Sequence, residues 1–111
     1  MSLPVRNSLK IFIKNLVDSG KRKFIICPYG YIGQQVKHIL NNEFDIREIL
    51  LLDNNSEADN VFPISVLNSC AGREDTYCLL ATLNASIYVE LRQMLGDYLD
   101  NEHIWCSLCH W

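Results

Sequence analysis

Lys23-Phe24-Ile25-Ile26-Cys27-Pro28-Tyr29-Gly30-Tyr31-Ile32-Gly33 is the stretch whose reading decides the fold. Phe24 to Cys27 is a short apolar run, closed by Pro28 and Gly30. β-Branched content and a Pro/Gly boundary mark a strand buried on both faces. Directly behind it Ile32, Val36, Ile39 and Leu40 recur at helical spacing, with Gln34, Gln35 and Lys37 between them. That pattern is an amphipathic helix, released at Asn41-Asn42. Strand passes to helix within a few residues, and the turn between them carries the glycines.

Working outward, Ile46 to Leu52 holds the continuous run Ile49-Leu50-Leu51-Leu52 and is expected to form a second buried strand. It stops at Asp53-Asn54-Asn55-Ser56, a composition that favours turns. Upstream, Leu9, Phe12, Ile13, Leu16 and Val17 predict an amphipathic helix that Gly20 ends. Downstream, Val61-Phe62-Pro63-Ile64 is expected as a short edge strand, because proline cannot donate within a central one. Ser65 is expected to cap one or two helical turns running to Cys70. Thr76 to Thr82 is the next buried strand. Asn84 caps a helix with Tyr88, Leu91, Leu95, Tyr98 and Leu99 on one face, and His103 to Cys106 is the last strand.

Strands alternating with helices imply an α/β fold of three layers, with a parallel sheet of four or five strands and right-handed crossovers. The order expected is 3-2-1-4-5. The chain of 111 residues divides into an N-terminal helix over 1–20 and one globular unit over 21–111. There is room for one βαβαβ half and not for two, so a piece of a longer protein is also a reading of this length.

Hydrophobic residues make up 49% of the chain and charged ones 21%, a balance that supports a packed core rather than disorder. The formal charge of −3 argues against nucleic acid as a partner, and Lys21-Arg22-Lys23 reads as a solvated edge. No apolar run approaches the roughly 20 residues that span a bilayer, so no membrane association is expected. Met1 to Arg6 lacks the layout of a secretory signal. Five cysteines without framework spacing favour reduced thiols and a cytoplasmic location.

The first turn fits the frame G-x-G-x-x-G with Pro28 at its first position, Gly30 at its second and Gly33 at its third. In that frame the second glycine lets backbone approach a pyrophosphate, and the third allows helix and strand to pack closely. Amides opening the helix, at Tyr31, Ile32 and Gly33, would face the phosphates, where the helix dipole favours negative charge. Asp53 follows Gly33 by twenty residues and ends the second strand, where a carboxylate accepts hydrogen bonds from a ribose. The same carboxylate would repel a 2′-phosphate, which favours NAD over its phosphorylated form. Asn54 and Thr82 complete the expected rim at the carboxyl ends of the strands. Pro28 removes an amide donor, and Tyr29 and Tyr31 are bulky, so a turn kept only for packing is the competing reading. In that second reading a tyrosine fills the crevice.

Ile25-Ile26-Cys27-Pro28-Tyr29-Gly30-x-x-Gly33, then Ile49-Leu50-Leu51-Leu52-Asp53-Asn54-Asn55, then Pro63-Ile64 and Leu67, resembles a family of small Rossmann-like domains. Such domains are similar to the N-terminal part of bacterial sugar acyltransferases and accompany methyltransferases of polysaccharide synthesis. The resemblance covers about Lys23 to Leu99. It implies an NAD(P)- or nucleotide-sugar-binding accessory or regulatory domain, with Gly30, Gly33 and Asp53 lining the site. The partners expected beside the nucleotide ligand are a missing C-terminal domain, as in an N-terminal fragment of a sugar-modifying transferase or methyltransferase, or further copies in a homo-oligomer. The left-handed repeats of an acyltransferase do not follow, so no complete catalytic constellation is expected. S-adenosylmethionine ranks below a dinucleotide, because only one of the acidic residues it wants is present.

Cys106-Ser107-Leu108-Cys109-His110 matches C-x-x-C-H, the haem attachment sequence, and His103 could join Cys106, Cys109 and His110 as zinc ligands. Neither is expected. Haem attachment needs export and a second axial ligand, and adjacent Cys109 and His110 rarely hold one ion together. His38 reads as a surface histidine and Asp97 and Asp100 as solvated caps.

Overall fold

The computed structural model describes residues 3–56, 58–69 and 75–105. Five parallel strands form one sheet in the order β3-β2-β1-β4-β5, Rossmann-like in general shape. Helix α1 (Leu3–Asp18) precedes β1 (Lys23–Cys27), and α2 (Tyr31–Glu43) crosses to β2 (Leu50–Leu52). The short edge strand β3 (Val61–Phe62) leads through a 3-10 helix (Ile64–Ser69) to β4 (Thr76–Leu80). Helix α3 (Ala85–Leu95) and a 3-10 turn (Asn101–His103) then precede β5 (Ile104–Trp105). Each boundary has a local cause. Gly20 adopts φ +97°, and the amides of Gly20 and Lys21 close back on the carbonyls of Val17 and Leu16 at 3.0 and 3.2 Å. This pair of bonds satisfies the last carbonyls of α1 and turns the chain into β1.

Strand periodicity sorts the core into two halves. Phe24 and Ile26 of β1, Leu51 of β2 and Leu79 of β4 pack with Leu9, Ile13, Leu16, Val36, Ile39 and Leu40 of α1 and α2. Ile25 and Cys27, Leu52, Cys78 and Leu80 face the other way, onto Ile64, Leu67, Leu95 and Leu99. Both faces of β1 are covered, which is why Phe24 to Cys27 is apolar at every position instead of alternating. The register Ile25↔Leu50 on one side and Ile25↔Cys78 on the other makes β1 the central strand. β1 is therefore flanked by the two strands whose carboxyl ends can build a crevice with its own.

Several expected boundaries shift. Ladder pairing of β2 spans Leu50–Leu52 and not Ile46 to Leu52. Asp45 sits at φ 54° and turns the chain just after α2; Ile46 is buried within the loop that follows and Ile49 is 48% exposed. Ser65 does not cap the 3-10 helix; Asn54 does, its Oδ1 accepting from the Ile64 amide at 2.8 Å. The last strand starts at Ile104, and His103 belongs to the turn before it. Helix α3 ends at Leu95, yet the turns after it return Tyr98 and Leu99 to the second core half. Among the described residues no helix is long and apolar enough to cross a membrane.

Candidate functional site

At the carboxyl ends of β1 and β2 lies a groove of about 440 Å3, lined by Pro28, Gly30, Asp53 to Asn55, and Ile87, Glu90, Leu91 and Met94 of α3. Its volume falls within the roughly 300–1,000 Å3 of small-molecule sites. The loop after β1 forms one side, the loop after β2 the second, and one face of α3, from Ile87 to Met94, the wall opposite.

The two glycines of the turn have different reasons to be glycine. A Cβ on Gly33 would stand 2.5 Å from the Pro28 carbonyl oxygen and 3.4 Å from Ile26 Cγ2, so Gly33 is required by the contact of α2 with the end of β1. Gly30 has ordinary dihedrals, φ −98° and ψ −152°, and a Cβ there would meet nothing within 4 Å. Neither backbone strain nor packing calls for glycine at Gly30. What its missing side chain leaves is clear space at the α2 amino terminus, beside the groove that Gly30 lines.

Asp53 extends the β2–β3 pairing, its amide donating to the Phe62 carbonyl at 2.9 Å. Its Oδ1 accepts from the Asn55 amide at 2.9 Å, which holds the carboxylate at the rim. Asn54 lines the same rim while its Oδ1 secures Ile64. The structure therefore brings together Gly30, Asp53 and Asn54 of the expected site residues. Tyr31 is 56% exposed and Ile32 packs on the α1–α2 side of the sheet, so the side chains of neither line the groove. Thr82 is buried, with Oγ1 accepting from the Asn84 amide at 3.1 Å, and Asn84 in turn caps α3 through the Ile87 amide at 3.1 Å. Tyr29, expected to fill the crevice if the turn serves packing alone, packs instead against the core half built on α1 and α2.

Ile87, Glu90, Leu91 and Met94 are the site residues that sequence reasoning missed. Their signal was present: Ile87, Leu91 and Met94 repeat at i, i+4, i+7, and Leu91 and Met94, partly buried against the second core half, form the groove-side border of the stripe that packs on the sheet.

Beneath the groove Cys27 is fully buried. Burial, and then the negative charge of Asp53, pushes its thiol up to about 12. Cys78 is raised for the same reason, burial first and the neighbouring Cys27 second. Thiols so far from ionising are not nucleophiles.

Of the residues considered for metal, His103 shares a cluster with Asp100 and Glu102 whose ligand atoms lie within 4.8 Å of one another. Its Nδ1 donates to the Thr76 carbonyl at 2.9 Å, and its ring stacks on Tyr77 with centroids 4.7 Å apart. Those contacts give the ring a structural duty as a clasp on β4. Cys106, Cys109 and His110 lie outside the described residues. His38 is exposed, as are Asp97 and Asp100. Compared with protein-family models, curated proteins and solved structures, the chain matches none.

Proposed function

We propose that this chain is a nucleotide-binding accessory or regulatory domain that takes an NAD-like or nucleotide-sugar ligand in the groove above Gly30. The observation that carries the reading is the pairing of clear space at Gly30 with a carboxylate at Asp53 on the facing rim. A ribose hydroxyl pair suits Asp53, and the apolar side chains of Ile87, Leu91 and Met94 suit the flat face of a base. The link to sugar or polysaccharide metabolism, and to an NAD(P)-binding relative, rests on the short motifs of the turn and of Leu52-Asp53-Asn54. With its thiol raised by burial, Cys27 is assigned no catalytic role.

A thermal shift panel of NAD, NADP, nucleotide sugars and S-adenosylmethionine tests this, because a ligand that binds only the native state must stabilise it. A rise in Tm with NAD or a nucleotide sugar, lost in Asp53→Asn, is the expected result. Flat melting curves across the panel at millimolar ligand would end the proposal.

The second reading, an interaction domain with a vestigial site, draws on Leu83 in the loop before α3 and on Ile87 and Val89 of α3, which are 55%, 41% and 50% exposed. Exposed apolar residues close together along the chain suit a protein partner. Under this reading substituting Leu83 and Val89 with Ser abolishes association with that partner while ligand panels stay silent.

A further inference from the structure

The groove presents two carboxylates, Asp53 from the end of β2 and Glu90 from α3, and among the described residues no lysine, arginine or histidine lines it. The amino terminus of α2 offers positive potential there, equivalent to about half an elementary charge. Two full negative charges outweigh it, and the chain as a whole carries −3. A ligand entering this groove therefore meets a field that grows less favourable with every phosphate it bears.

From this balance we infer that Glu90 is a specificity-determining residue. With Asp53 it tunes the groove to the least negatively charged nucleosides and nucleotides. The base lies on Ile87, Leu91 and Met94, the ribose reaches Asp53, and phosphates extending beyond the ribose are held back by the carboxylate on α3. The inference rests on the nucleotide reading above and ranks the ligands within that class. Oxidised NAD, whose nicotinamide cation offsets part of its pyrophosphate charge, stands ahead of nucleotide sugars, and both stand ahead of triphosphates and NADP. Glu90 is on the helix after β4, far in sequence from the turn and from Asp53, so only the crossover places it opposite them.

Two series differing only in phosphate number test the idea: adenosine and uridine with their mono-, di- and triphosphates, titrated by calorimetry into the wild type and Glu90→Gln. At low salt the wild type should weaken about threefold with each added phosphate, the order of effect of one unit charge at close range in a high dielectric. Glu90→Gln should tighten the triphosphate about three- to tenfold while changing the nucleoside less than twofold. Raising salt to about 0.5 M should narrow the wild-type spread, because the charges are exposed and screened. Affinity that climbs with phosphate number in the wild type, or a spread identical in Glu90→Gln, overturns the role of Glu90 and leaves nucleotide binding standing. Silence from both series and from NAD and nucleotide sugars overturns both readings together.

Discussion

Gly33 and Pro28 meet so closely that a single methyl group on Gly33 would lie 2.5 Å from the proline carbonyl oxygen. The contact fixes the distance between the first turn of α2 and the end of β1, and so fixes where Gly30 lies over the sheet. Gly33→Ala must push backbone apart and is expected to lower stability by about 1–3 kcal/mol despite alanine's better helix propensity. Gly30→Ala, with open space and ordinary dihedrals, should stay within about 1 kcal/mol of the wild type. Urea denaturation of the two variants checks the contrast, and equal losses would remove the distinction between them.

Asn54 joins the loop after β2 to the 3-10 helix by accepting from the Ile64 amide at 2.8 Å. Ile64 is 2% exposed, so its amide finds little water if that acceptor is removed. Asn54→Ala should cost about 1–2 kcal/mol, and Asn54→Asp, which keeps an acceptor, should cost less. Equal midpoints for both variants would show that the bond does not hold the segment.

At the start of α3, Asn84 Oδ1 accepts from the Ile87 amide at 3.1 Å. Loss of such a cap costs about 1 kcal/mol. Asn84→Ala should also speed hydrogen exchange in the first turn of α3, and thereby loosen the wall that carries Ile87 and Glu90. Unchanged exchange at Ile87 would contradict the assignment.

Glu48 ties the end of the α2–β2 connection to α2 itself through Lys37 Nζ at 2.8 Å and Asn41 Nδ2 at 3.1 Å. Partial burial pushes its carboxyl up, but the hydrogen bonds from Lys37 and Asn41 and the lysine charge together outweigh burial and hold it below the ordinary glutamate value. A depressed folded-state value means the stabilisation is present at neutral pH and is lost as pH falls through the acidic range. Glu48→Gln should therefore be less stable than the wild type at pH 7, with the two curves converging below the folded value. Parallel curves down to pH 2 would refute the coupling.

Cys27 and Cys78 should resist iodoacetamide at pH 8 in the native protein, because burial raises both thiols far above that pH. Peptide mapping by mass spectrometry should find both labelled only after unfolding. Labelling of either at the rate of a free thiol would mean that the core beneath the groove opens.

The succession of elements was legible in the chain because each carries its own local cause. Phe24 to Cys27 has no polar position, Gly20 supplies a left-handed turn, Asn84 supplies a cap, and Pro63 confines its neighbours to an edge. Where local causes were weaker the boundaries moved. Leucines and isoleucines from Ile46 onward read as one strand, yet the chain turns at Asp45 and ladder pairing begins only at Leu50. Ser65 looked like a cap, but the side chain of Asn54, eleven residues earlier, reaches the Ile64 amide instead.

By itself the sequence determined the α/β class, the order of the five strands, and Gly30 and Asp53 as points at the carboxyl ends of two of them. Periodicity and turn chemistry act over a few residues, and crossover handedness does the rest. Only the tertiary structure separated a glycine needed for packing, Gly33, from one that leaves space, Gly30. Only it set Glu90 and the stripe of Ile87, Leu91 and Met94 across from Asp53. The physical reason is range. Contact and electrostatic field depend on distance through space, and the fold brings side chains near that the chain keeps more than thirty residues apart.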